Sequence, residues 1–141
     1  MAENKTVEHI TIDDQTCAII VRAHDFVPGI NFVTPDSYSQ QLAVMSHPAG
    51  KVIDPHVHNT VNRSVEITQE VLVIKSGTLQ VDFYDETNTK RNETILKAGD
   101  IIVLAAGGHG FTALTDIEMI EIKQGPYVGD EDKTRFIPRD K

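Results

Sequence analysis

Apolar and polar residues alternate over short stretches along most of this chain, and turn-forming residues separate one stretch from the next. Such alternation is typical of half-buried β-strands, because successive side chains of a strand point to opposite faces. No long stretch of helical period interrupts the pattern. We therefore expect an all-β fold. The predicted strands are residues 7–12, 17–21, 41–46, 70–75, 78–84, 92–96, 100–104, 110–114 and 118–123.

The length of 141 residues is near the commonest domain size, so we expect a single domain over residues 1–141. Aspartates after residue 12 favour a tight turn, which makes residues 7–21 an N-terminal hairpin. Pro and Gly interrupt residues 26–37, where we expect a connecting loop with at most a short strand. Residues 124–141 are mostly polar and are interrupted by Gly and Pro, so they are not expected to form a core element. We expect a tail that packs over the body through large apolar side chains. These side chains are Tyr127, Phe136 and Ile137.

The charge balance excludes two classes of partner. Lys and Arg number 13 against 21 Asp and Glu, a formal net charge of -8, which repels nucleic-acid phosphates and anionic lipid. No apolar run approaches the roughly 18 residues that a membrane span needs, and we expect the whole chain to be the mature protein. Cys17 is the only cysteine, so neither a disulfide within the chain nor a thiolate metal cluster is expected. We predict a cytoplasmic protein.

Four potential metal ligands stand out. His56 and His58 are two residues apart, so in a strand they would project from one face and could chelate one cation. Glu70 begins a row with Leu72 and Ile74 on its face, where an unpaired carboxylate would be costly to bury. His109 starts another strand with apolar residues on its own face. A single divalent metal site would explain all four residues together.

Each of these residues also has an ordinary alternative. His56 and His58 could be exposed loop histidines. Glu70 could form a salt bridge with Arg63, and His109 could be a hydrogen-bonded core histidine.

The same residues resemble the two motifs of the cupin family, over about residues 50–123. Five residues separate Gly50 from His56, as in the first motif. Six residues separate Glu70 from the glycine that follows it, as in that motif. The second motif is matched by Gly99-Asp100, Gly107 and His109.

This resemblance implies a jelly-roll barrel, the double-stranded β-helix, with His56, His58, Glu70 and His109 as metal ligands. The spacer from His58 to Glu70 has eleven residues, more than the family usually has, so residues 59–69 are expected to form an extra loop at the barrel mouth. Glu66 lies in that loop and is the alternative carboxylate ligand.

Three imidazoles and one carboxylate suit Fe, Mn, Ni, Co, Cu or Zn, and the ligand types do not choose among these metals. We expect either a metal-dependent enzyme, of the oxygenase or isomerase type, or a non-catalytic module that binds a sugar or another effector. The resemblance to small bacterial cupins favours a polar or sugar-derived ligand. Candidate substrate-binding residues are Arg63, Tyr84, Phe111 and Lys123, and candidate acid–base residues are His47, Tyr84, Glu121 and Lys123.

The direction of the last predicted strand separates the two alternatives. If Ile120 and Ile122 face the core, Glu121 and Lys123 are solvated. If Met119 faces inward, Glu121 and Lys123 line the pocket and support catalysis.

Apolar residues of the N-terminal hairpin favour a homodimer. A small barrel would leave these residues partly uncovered, and we expect the N-terminal strands to pair or cross with those of a second copy. The residues concerned are Ile10, Ile12, Ile19 and Val21.

Overall fold

The computed structural model describes residues 7–24 and 26–139, and over these residues the protein is all-β. Antiparallel pairing follows the alternation of apolar and polar residues, and the short helix lies in the tail. The elements are β1 (Val7–Ile12), β2 (Gln15–Val21), β3 (Gly29–Phe32), β4 (Ala43–Ser46), β5 (Glu70–Ser76), β6 (Thr78–Tyr84), β7 (Lys90–Lys97), β8 (Ile101–Leu104), β9 (Gly108–Ala113), β10 (Glu118–Lys123) and a 3-10 helix (Gly129–Asp132).

The strands form a five-stranded sheet in the order β1-β2-β8-β5-β10, a three-stranded sheet in the order β7-β6-β9 and the hairpin β3-β4. All pairings between these strands are antiparallel. The two larger sheets pack face to face as a β-sandwich, and the described strands do not close into a barrel. The all-β expectation is confirmed.

The main core lies between the two larger sheets. On β6, Leu79, Val81 and Phe83 are buried, whereas the residues between them are partly exposed. They pack against side chains of the five-stranded sheet, such as Ile74 and Ile102. Each such side chain contributes about 1.5–3 kcal/mol when it is fully buried. The period-two pattern in the sequence therefore correctly marks the inward face.

A second cluster covers part of the outer face of the five-stranded sheet. Ile19, Val71 and Val103 are buried there beneath the segment that contains Val33 and Leu42. The predicted connecting loop thus contains strand β3 and helps to cover the sheet.

The N-terminal hairpin is confirmed, with Asp13 and Asp14 at positive φ in its turn. The expectation that its apolar residues remain uncovered is wrong. They are buried because β2 pairs with both β1 and β8 and both faces of the sheet are packed there. The buried residues are Ile10, Ile12, Ile19 and Val21.

One side of the sandwich is more open than the other. Strand β1, at one edge of the five-stranded sheet, contacts β7 of the smaller sheet. On the opposite side, the edge strands β9 and β10 contact each other less. Phe111 of β9 and Met119 of β10 are each 41% exposed, although their cross-strand neighbours Val81 and Ile74 are buried. The inward face is therefore incompletely covered at this open side, defined here as the space between β9 and β10.

Among residues 7–24 and 26–139, no helix has the length and apolar character that crossing a membrane would require.

Candidate functional site

The centre of the candidate site is a contact between Glu70 and His109. Glu70 is the first residue of β5, and His109 is the second residue of β9, so the contact joins the two larger sheets. His109 Nε2 donates a hydrogen bond to Glu70 Oε1 at 2.9 Å. The two side chains are largely buried, with 15% of Glu70 and 29% of His109 exposed. Two of the predicted metal ligands, far apart in the sequence, are thus brought together.

Strand β10 adds charged groups to the same inner face. Cross-strand neighbours share a face, and the register pairs Met119 with Ile74 and Lys123 with Glu70. Glu121, between them in the period-two row, therefore also points inward. The isoleucines of β10 lie on the opposite face and are half exposed. Of the two directions left open by the sequence, the structure shows the one with Met119 facing inward.

The two glutamates of this face affect each other's ionisation. The hydrogen bond from His109 is the main reason that the pKa of Glu70 is lowered to about 2. A hydrogen bond with Glu70 raises the pKa of Glu121, and burial raises it further. Lys123 and Lys133 partly offset that increase in the pKa of Glu121 through their positive charge. The inner face consequently holds an ionised Glu70 beside a carboxyl group that retains its proton to higher pH.

A cleft of about 940 Å³ opens beside this contact. Its walls include Glu70, Tyr84, His109 and Lys123, together with much of the tail. Of the predicted substrate-binding residues, Tyr84 and Lys123 therefore line the cleft. A cleft of this volume can hold a small molecule.

The tail, residues 124–139 as described, forms one wall of the cleft. Asp132 accepts a hydrogen bond from Thr68 and lies 3.6 Å from the ammonium group of Lys123. Further along, the ring of Phe136 packs edge-to-face on Tyr84, with ring centroids 5.2 Å apart. The predicted packing of the tail over the body is thus confirmed for Phe136.

Tyr127 and Ile137 do not take part in that packing. They are 86% and 90% exposed, so the prediction for these two residues is wrong. The partners Thr68 and Asp132 were missed by the sequence analysis because they are 64 positions apart and neither belongs to a local motif.

His56 and His58 lie apart from the strands. The prediction that they sit on a β-strand is wrong, because within the part of the chain that the structure describes no strand pairs with the segment that contains them, and Pro55 lacks a donor. Both side chains are exposed, and their ring centroids are 5.3 Å apart. His56 Nδ1 is 2.9 Å from the backbone oxygen of Asp54.

The remaining candidates are divided between the cleft and the surface. Glu66 lines the cleft, as does its neighbour Val65, whereas Arg63 is exposed. Phe111 lies beside His109, with ring centroids 5.3 Å apart, but is not part of the cleft wall. His47 has a buried Nε2 that finds no hydrogen-bond partner among the described residues.

Taken over residues 7–24 and 26–139, no three His, Cys, Asp or Glu side chains are grouped so that they could hold a metal ion. The predicted ligands instead form two pairs, Glu70 with His109 and His56 with His58.

Comparison of the chain with protein-family models, with curated proteins and with solved structures found no match.

Proposed function

We propose that the protein is a metal-dependent enzyme of the cupin type, which acts on a small polar molecule held in the cleft. The contact between Glu70 and His109 carries this proposal. It places a carboxylate and an imidazole together at the wall of a cleft, and these are ligand types that divalent transition metals favour. A sugar-derived substrate is the class that the resemblance to small cupins favours.

The ligand types suit a divalent metal, but they lie in two separate pairs that would have to meet to hold one ion. Glu70 and His109 supply one carboxylate oxygen and one imidazole nitrogen on the inner face. His56 and His58 supply two further imidazoles from an exposed segment. The contact of His56 Nδ1 with the backbone oxygen of Asp54 leaves Nε2 as its free nitrogen. A divalent transition metal, when bound by these residues, polarises a substrate oxygen as a Lewis acid.

The protein's own residues supply the rest of the site. Lys123 offers an ammonium group to an anionic or hydroxyl-rich substrate, and Tyr84 offers a ring and a hydroxyl group. The tail shields one side of the cleft, held by Asp132 and Phe136. Such shielding orders the substrate and reduces its contact with water.

The inward direction of Glu121 and Lys123 favours an enzyme over a binding module. Lys123 would serve either function by binding an anionic group, whereas the Glu121 carboxyl group, whose pKa is raised beside Glu70, is a candidate proton donor that a module needs only if it is an enzyme. Here both residues lie on the face that carries Glu70, and Lys123 also lines the cleft.

Elemental analysis of protein purified without chelator and without a histidine tag tests this proposal. We expect about one divalent transition metal per chain. Glu70→Gln and His109→Ala each lower the metal content, whereas the matched variant Glu66→Gln retains it. Loss of metal only in Glu66→Gln would make Glu66 the carboxylate ligand. Protein that carries no metal and takes up none of Fe, Mn, Ni, Co, Cu or Zn would refute the proposal.

A further inference from the structure

Residues 48–67, called here the arm segment, are exposed without exception. All of them are described by the structure, and none belongs to a helix or a strand. Connections of this length without regular structure are uncommon in compact domains and are usually functional.

The composition of the arm segment is unusual for a solvated loop. Val57 is 86% exposed, Val61 is 57% exposed and Ile67 is 67% exposed. From residue 56 to residue 67, the apolar side chains all fall at odd-numbered positions, which is the pattern of a half-buried strand. In a strand of this register, His56 and His58 lie on the face opposite Val57 and Val61. An exposed segment with apolar side chains in this pattern needs a surface to cover it.

The open side of the body, between β9 and β10, offers a surface that such a segment could cover. The edge strands β9 and β10 leave backbone groups available for pairing with an added strand. The inward side chains of Phe111 and Met119 are partly uncovered there. His109 lies on the inner face of β9, which borders this opening, and Glu70 lies on the inner face of β5, the neighbour of β10.

The metal ligands of the proposed function are divided in the same way. His56 and His58 are on the arm segment, whereas Glu70 and His109 are on the body. We propose that the arm segment of a second copy of this chain lies in the open side and brings His56 and His58 to Glu70 and His109 of the first copy. The exchange is reciprocal, so a dimer holds two shared sites. This inference rests on the proposed metal-dependent function.

Length and charge agree with an exchanged arm. Residues 48–67 are joined to β4 at one end and to β5 at the other, so the middle of the segment can lie at most about 33 Å from these strands. This reach still exceeds the radius of gyration of about 14 Å expected for a folded chain of this length. The arm segment contains Lys51 and Arg63 against Asp54 and Glu66. It is therefore neutral within a chain of formal net charge -8, so the arm segment itself adds nothing to the repulsion between two acidic copies.

Mixed dimers test whether the site is shared. One variant, His56→Ala/His58→Ala, lacks the arm ligands, and the other, Glu70→Gln/His109→Ala, lacks the body ligands. The two are co-expressed with different tags that contain no histidine, and the mixed dimer is purified through both tags. Each variant alone should carry no metal. The mixed dimer should regain about one metal ion per dimer, because one arm and one body are intact on opposite chains.

The outcomes separate this inference from the proposed function. If wild-type protein binds metal and the mixed dimer does not, the ligands come from one chain, which overturns the shared site and leaves the metal-dependent function standing. If wild-type protein binds no metal, the proposed function fails, and the shared site fails with it. In that case, the mass of the protein in solution is the only test of whether the arm segment forms a dimer.

Light scattering of the chelated protein supplies that mass. Wild-type protein should have the mass of a dimer, and Val57→Asp/Val61→Asp should have the mass of a monomer. Ile30→Asp/Phe32→Asp adds the same charge at exposed apolar positions of β3, and it should remain a dimer. A monomeric wild-type protein, or a dimer that only the β3 variant disrupts, would overturn the exchanged arm.

Discussion

Lys123 lies directly opposite Glu70 in the antiparallel register of β5 and β10. Its ammonium group also lies 3.6 Å from the carboxylate of Asp132 in the tail. One cation thus stands between the carboxylate of the candidate site and the segment that covers the cleft. The charge of the inner face and the position of the tail are therefore linked through this lysine.

Lys123→Met should loosen the tail around Asp132. The substitution keeps most of the apolar stem and removes the charge, so Asp132 loses its cation while its hydrogen bond from Thr68 remains. Hydrogen exchange should become faster over residues 129–136, with global stability reduced by no more than about 1 kcal/mol. Lys75→Met is the matched control, because Lys75 pairs with Glu118 on the exposed side of the same ladder. Equal exchange rates in the two variants would contradict this role of Lys123.

Asp85 should make the loop between β6 and β7 sensitive to acid. Its carboxylate accepts hydrogen bonds from the hydroxyl and backbone N–H groups of Thr87 and from the backbone N–H of Thr89. These bonds, foremost the one from the Thr87 hydroxyl, lower the pKa of Asp85 to about 2, below its ordinary value of 3.8. A carboxylate with a lowered pKa stabilises the folded state above its ordinary value, and this contribution is lost as the pH falls towards 2.

Comparison of wild-type protein with Asp85→Asn measures this effect. Between pH 7 and pH 4 the variant should be the less stable of the two in urea unfolding. The difference should shrink as the pH falls from about 4 to about 2, because the wild-type carboxylate becomes protonated. A difference that is constant over this range would show that Asp85 does not titrate with folding.

Asp100 should be among the most important polar residues for stability. It is 5% exposed, and its carboxylate accepts backbone N–H bonds from Ala23 at 2.9 Å and from Lys97 at 2.8 Å. A further bond of 3.1 Å comes from the guanidinium group of Arg22. Asp100→Ala removes the carboxylate from both backbone donors and from Arg22, and should cost about 3 kcal/mol.

Glu8→Gln is the control for the same cluster. Glu8 also pairs with Arg22, but its side chain is 46% exposed, so the substitution should cost less than about 1 kcal/mol. Chemical denaturation of both variants gives the comparison. If Glu8→Gln lowers the free energy of unfolding as much as Asp100→Ala does, the exposed pair of Glu8 with Arg22 contributes as much to stability as the buried carboxylate.

Much of the sandwich is predictable from local pattern, since inward residues such as Val81 and Phe83 recur at every second position and are buried. The inward direction of Glu70 and of His109 follows from the same principle, because each begins a row on an inner face, whereas their contact across the two sheets does not. The position of His56 does not follow, although its local pattern is that of a strand. A strand forms only where another strand pairs with it, and that partner is not specified by neighbouring residues.

The turn at Gly77 offers the sharpest test of backbone geometry. Gly77 joins β5 to β6 with φ +88°, and a Cβ atom there would collide with the backbone oxygen of Asp116. Gly29 has a similar φ of +93°, but nothing lies within 4 Å of the position that a Cβ atom would take there. Gly29→Ala therefore reports the cost of positive φ alone, about 1 kcal/mol.

Gly77→Ala adds a backbone clash to that cost. Because a backbone oxygen cannot move away as a flexible side chain can, we expect a total loss of about 3–4 kcal/mol. Urea unfolding of the two alanine variants under identical conditions measures the difference. The turn also sets the register in which β5 presents Glu70, so Gly77→Ala should weaken the contact with His109, visible as a changed His109 imidazole signal in NMR spectra. Equal losses of stability in the two variants would show that the approach of Asp116 to this turn is not a constraint on the fold.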